Sequence, residues 1–131
     1  RACQDYTELR GTPKFMAPEV ARGDSPTPSS DIWAVGVMAI PMLTGKPAWR
    51  EEDFPPGGGE RAAARFISGL ANREAPLEPV FGRQTTAGAS DSGGGLSSEA
   101  EELLDACLGR DPARRSSAVE LLRLPYFSVV E

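Results

Sequence analysis

Apolar residues in this chain gather into four short stretches separated by polar runs rich in proline and glycine. The densest stretch is residues 31–43, Asp-Ile-Trp-Ala-Val-Gly-Val-Met-Ala-Ile-Pro-Met-Leu, apolar on every side once wound as a helix. That is the pattern of a helix surrounded by protein. Ser29, Ser30 and Asp31 offer N-cap oxygens at its start. Thr44-Gly45-Lys46-Pro47 ends it, with Gly45 suited to the left-handed residue after a last turn. Pro41 has no N–H to donate and its ring crowds the preceding turn, so the last turn is expected to be kinked or unwinding. The apolar run from Ile32 to Leu43 covers about 12 residues, short of the roughly 20 that cross a bilayer.

Residues 60–71 place Phe66, Ile67 and Leu70 on one side, which predicts a second helix. Residues 98–108 predict a third. Ala100, Leu103, Leu104, Cys107 and Leu108 recur at helical spacing behind a capping box from Ser98 to Glu101, and Gly109 stops it. A second capping box, Ser117 to Glu120, opens a short helix with Ala118, Leu121 and Leu122 inward, ended by Pro125. Residues 1–30 are polar and interrupted by Pro13, Pro18, Pro26 and Pro28, leaving room for one short helix at 18–22. Residues 50–59 and 82–97 read as loops, the latter of low complexity. No segment alternates as a strand does, so the expected fold class is mainly α with long loops.

Composition refines this picture only slightly. A chain of 131 residues with 40% hydrophobic and 25% charged residues fits one domain or part of one. A net charge of −5 argues against a nucleic-acid partner. With no histidine and only Cys3 and Cys107, neither a zinc site nor a disulfide framework is readable. No membrane association is expected, and a reduced, cytoplasmic setting suits this cysteine usage.

Three motifs carry chemical meaning. The first is Gly11-Thr12-Pro13-Lys14-Phe15-Met16-Ala17-Pro18-Glu19-Val20. The second is Asp31-Ile32-Trp33-Ala34-Val35-Gly36-Val37, followed by Leu43-Thr44-Gly45-Lys46-Pro47-Ala48-Trp49. The third is Cys107-Leu108-Gly109-Arg110-Asp111-Pro112-Ala113-Arg114-Arg115, then residues 118–127. In order and spacing they resemble the C-terminal lobe of a serine/threonine protein kinase, most similar to the MAP kinase kinase kinase group, in which Ala-Pro-Glu closes the activation segment. The resemblance covers the chain apart from Gly-rich insertions near 55–60 and 83–97. It implies an incomplete, helical lobe portion running from the activation segment to the last helix. Residues 1–23 would be the activation segment and substrate-docking loop, and 24–131 the helical subdomain.

The resemblance also assigns positions. Gly11 and Thr12 correspond to the substrate-docking loop, where a hydroxyl can both donate and accept; read locally, Thr12 is an ordinary turn residue. Glu19 and Arg115 correspond to an ion pair tying the activation segment to the lobe base, suited to the planar fork of Arg. Locally they are two surface charges, and Arg114 competes for the pairing, though the spacing from Asp111-Pro112 favours Arg115. Asp31 corresponds to the aspartate that braces the catalytic loop, and by local physics it is an N-cap. Thr7, with Tyr6, lies where such kinases are phosphorylated, and a solvated, unmodified loop is the alternative. Trp33, Gly36 and Trp49 are packing residues on either reading. Pro41 stands where the family usually has a glutamate, which weakens substrate selection through that position.

Phosphoryl transfer in this family uses a Gly-rich loop, a strand lysine with its glutamate, a His-Arg-Asp loop and an Asp-Phe-Gly metal ligand. None of these motifs occurs in the 131 residues. The chain is expected to begin shortly after the position of Asp-Phe-Gly, to contain no catalytic residue and to be inactive alone. ATP and Mg2+ would serve the complete kinase, with none bound by this piece. The implied partners are a protein substrate and an upstream kinase or scaffold. The competing expectation is a pseudokinase-like or truncated binding module; an unrelated helical domain would require all three motifs to be accidental.

Overall fold

A computed structural model of the chain describes residues 13–55, 57–81 and 96–128. Five helices are present among them: α1 (Pro18–Ala21), α2 (Pro28–Thr44), α3 (Gly59–Ala71), α4 (Ser98–Cys107) and α5 (Ala118–Leu122). Short 3-10 turns lie at Pro13–Phe15, Pro112–Arg114 and Pro125–Phe127. The described residues contain no strand, so the chain is mainly α.

α2 begins earlier than the apolar pattern places it. Thr27 is the N-cap, in a capping box with Ser30, whose Oγ accepts the Thr27 N–H at 3.1 Å. Pro28 fills the first helical position, where its missing donor costs nothing and its fixed φ is already helical. Asp31 is therefore not the N-cap: it sits a full turn inside the helix. Nor does Pro41 unwind the end. The helix continues to Thr44, because the proline faces solvent and the Thr44 hydroxyl donates to the Ile40 carbonyl at 2.7 Å. Gly45 closes the helix in the left-handed region at φ 72°, donating to the Pro41 carbonyl at 2.9 Å.

One side of α2 is buried. Trp33, Val37 and Ile40 are almost fully inaccessible and join Phe66, Leu70, Ala100 and Leu104 in one core. Its other side differs from expectation, since Val35, Met38 and Met42 stay exposed among the described residues. α2 meets α4 at Gly36, where a Cβ would lie 2.7 Å from the Cys107 Cβ and 2.7 Å from a Leu108 methyl. Alanine there gains about 1 kcal/mol in helix propensity, but forcing carbon into a closed contact costs about 1–3 kcal/mol. Overpacking wins. Gly36→Ala is expected to lower the denaturation midpoint with an unchanged denaturant slope, measurable by urea titration. Cys107 behaves as a small core hydrophobe; burial pushes its thiol up to about 11.

α3 packs Phe66, Ile67 and Leu70 inward, as its sequence pattern predicts. The following loop folds back on it. Leu77 donates to the Gly69 carbonyl at 3.1 Å, and the Arg110 guanidinium donates to the Leu70 and Leu77 carbonyls at 2.8 and 3.0 Å. Arg110 thus satisfies the Leu70 carbonyl in the last turn of α3 and ties it to the Leu77 carbonyl of the returning loop.

The capping oxygen of α4 is Ser97 rather than Ser98, and it accepts from Ala100 N at 3.2 Å. Two adjacent serines make both frames readable from the sequence. α5 opens with the expected box between Ser117 and Glu120, both bonds at 3.2 Å. Of its apolar residues only Leu121 is buried, while Ala118 and Leu122 are exposed. Ala118, Leu121 and Leu122 share one side of the turn, as residues three and four apart do, but among the described residues only Leu121 reaches a buried cluster, with Ile32, Leu103 and Cys107.

Candidate functional site

Two clusters lie where the resemblance places function. The first is a buried charge pair. Glu19 is the second residue of α1, behind Pro18. Arg115 lies 96 positions away, beyond the turn at Pro112–Arg114. Asp111 fixes that turn by accepting the Ala113 N–H at 2.9 Å. Arg115 then takes extended backbone (φ −75°, ψ 145°), which points it inward while Arg114 remains exposed.

The pair is bidentate. Arg115 Nη1 and Nη2 donate to the two Glu19 oxygens, each at 2.7 Å. The Ser30 hydroxyl donates to Glu19 Oε1 at 3.0 Å. The remaining Arg115 donors reach backbone carbonyls: Gly109 at 2.7 Å, Ser29 at 3.0 Å and Arg110 at 3.4 Å. Every N–H of the guanidinium therefore has an acceptor, an arrangement the three donors of lysine cannot reproduce. The group also lies over the Trp33 ring, 5.2 Å from its centroid. Only 4% of Glu19 and 7% of Arg115 is accessible, so neither charge is a surface charge. Burial pushes the Glu19 carboxyl up, but the Arg115 hydrogen bonds and charge, with the backbone and Ser30 bonds, outweigh it. The group is held below its ordinary value of 4.5.

The second cluster holds the turn at Pro13–Phe15. Met16 donates to the Pro13 carbonyl at 3.1 Å, closing it. Trp49 Nε1 donates to the Lys14 carbonyl at 2.8 Å, and the Lys14 ammonium lies over the Phe54 ring at 5.0 Å. Trp49 and Phe54 both pack edge-on to Phe66, with centroids at 4.7 and 5.0 Å. Sequence reasoning gave Trp49 packing alone. The signal for its second role was available: a buried indole N–H needs an acceptor. Trp33 has not met that need among the described residues, since its buried Nε1 has no partner there.

Gly11, Thr12, Thr7 and Tyr6 lie outside the described residues. Asp31 is exposed on α2, and its carboxylate has no partner among the described residues. The described residues contain no group of three or more Cys, Asp or Glu side chains able to hold a metal ion. The run Gly57–Gly59 does lead into α3, but no strand precedes it and Glu60 occupies the first turn, where a phosphate would be repelled.

The family model of the protein kinase domain matches residues 1–127. The chain belongs to the protein kinase family. It is 35% identical over 120 residues to mitogen-activated protein kinase kinase kinase 17 of Arabidopsis thaliana, an alignment covering 92% of this chain and 27% of that protein. It is 34% identical over 118 residues to mitogen-activated protein kinase kinase kinase 18 of the same plant, covering 90% and 29%. It is 32% identical over 126 residues to serine/threonine-protein kinase SSK22 of Saccharomyces cerevisiae, covering 94% and 8%. This kinase chain therefore spans less than a third of each of these relatives and is MAP kinase kinase kinase-like along most of its own length. No described helix is long and apolar enough to cross a membrane.

Proposed function

We propose that these residues form the substrate-docking and structural base of the larger lobe of an ATP-dependent serine/threonine kinase in a MAP kinase cascade. The observation that carries this reading is the buried Glu19–Arg115 pair. It fastens the segment containing Lys14 and Phe15 to the turn that follows α4. Gly11 and Thr12 would then contact the protein substrate, Thr7 would be the regulatory phosphosite, and Asp31 would brace the catalytic loop.

On this reading ATP and Mg2+ serve the complete kinase and bind outside these residues. Positioning and charge neutralisation dominate phosphoryl transfer, and this chain contributes positioning of the protein substrate. Its partners would be that substrate and an upstream kinase or scaffold, in the cytoplasm. A second reading, a pseudokinase-like or truncated binding module, is supported by the apolar side chains of Val35, Met38 and Met42 that α2 leaves exposed.

Phosphate transfer from labelled ATP by the full-length natural protein, followed by phosphoamino-acid analysis, separates the two. Phosphoserine or phosphothreonine on a protein substrate supports the enzyme. Substrate binding without transfer supports the module, and phosphotyrosine alone rejects the serine/threonine assignment.

A further inference from the structure

Trp49 does more than fill the core. Its indole N–H reaches the Lys14 carbonyl at 2.8 Å, across 35 positions of chain. No other described residue makes a backbone or indole hydrogen bond to the middle of the Pro13–Phe15 turn, which has no buried residue of its own. A three-residue 3-10 turn is short and weakly bonded, so its geometry depends on what holds it from outside. Trp49 is itself held: 7% of it is accessible, and it stands edge-on to Phe66, which is fully buried. The Lys14–Phe54 contact is a weaker, exposed restraint on the same turn.

We infer that Trp49 is a positioning residue for protein-substrate docking, acting through the hydrogen bond from its indole N–H to the carbonyl of Lys14. This rests on the docking assignment proposed above for the neighbouring Gly11 and Thr12. The indole ties the loop after α2 and the aromatic face of α3 to the docking turn. Substrate affinity becomes sensitive to a residue that never touches substrate.

The test uses Trp49→Phe in the full-length natural protein, because phenylalanine removes the donor while retaining a smaller aromatic ring. Phe54→Leu, which leaves the indole bond in place, is the comparison. Amide exchange at Met16 is read by mass spectrometry, and KM for a protein substrate is read separately from kcat and from KM for ATP. Losing one net hydrogen bond predicts about 3- to 10-fold faster exchange at Met16 and a similar rise in substrate KM in Trp49→Phe. The expected changes in kcat and in KM for ATP are below about twofold, because the interaction is lost from substrate binding and not from the chemical step. Phe54→Leu is expected to move exchange by less than half as much. Unchanged exchange in Trp49→Phe, or an equal effect from Phe54→Leu, overturns the inference. So does faster exchange with an unchanged substrate KM in an active kinase. If the wild-type protein transfers no phosphate, the docking assignment is rejected in its enzymatic form, and exchange at Met16 still decides whether the indole holds the turn.

Discussion

Arg115→Ala is expected to destabilise the protein by about 3–5 kcal/mol, because it leaves the Glu19 carboxylate buried without a partner. That is a large part of the 5–15 kcal/mol that holds a typical domain together. Removing the guanidinium also frees the carbonyls of Gly109, Ser29 and Arg110 that it satisfies. Arg115→Lys keeps the charge but cannot form the two-pronged contact, so it falls between the wild type and alanine. The double variant Glu19→Leu/Arg115→Met should recover much of the loss, since an apolar pair of similar volume no longer buries an unmatched ion. Urea denaturation of the four proteins is the measurement, and a double variant as unstable as Arg115→Ala would argue against the stranded carboxylate as the cause.

The same pair sets a pH dependence whose sign is fixed by Glu19. Its folded value lies below the ordinary 4.5. The unfolded chain therefore binds a proton first as pH falls. The stabilisation is complete above about pH 4.5 and is lost as pH drops through the lower, folded value. In Arg115→Ala only burial and the smaller bonds remain, and burial favours the neutral acid. The difference between wild type and variant should accordingly be greatest near neutral pH and shrink in acid.

The second large effect is expected from Phe66→Ala, at about 3–5 kcal/mol. Phe66 is fully buried and is the ring against which both Trp49 and Phe54 stand edge-on. Its removal opens a cavity and loosens the two residues that hold the Pro13–Phe15 turn. Thermal unfolding should show the stability loss, and tryptophan fluorescence of the folded variant should shift to the red as water reaches Trp49. A blue-shifted or unchanged spectrum would show that the surrounding helices collapse into the gap.

Much of this organisation could be read from the order of residues. Phe66, Ile67 and Leu70 recur at helical spacing, and the Ser117–Glu120 box is a local signal with one reading. Gly45 ended α2 because only a residue without a Cβ sits easily at φ 72°. The misreadings share a cause: each depended on tertiary context. Pro41 looked like a breaker because propensity is blind to which side faces solvent. The start of α2 was placed late because Thr27 precedes a proline and several polar residues, and no apolar periodicity marks that turn. The selection of Arg115 over Arg114, by contrast, is favoured by its spacing from Asp111-Pro112, and a 3-10 turn followed by one extended residue is its physical basis. The indole bond of Trp49 to Lys14 spans distant segments and could be anticipated only as a demand for some acceptor.

The central claim is that these residues dock substrate and brace the lobe while nucleotide chemistry resides elsewhere in the kinase. The most direct test is calorimetric titration of MgATP into the 131-residue chain, with circular dichroism on the same sample to show that the helices are formed. A helical chain that takes up no MgATP and transfers no phosphate is the predicted result. Saturable heat of binding accompanied by turnover on a protein substrate would contradict the claim and would place the nucleotide site within these residues.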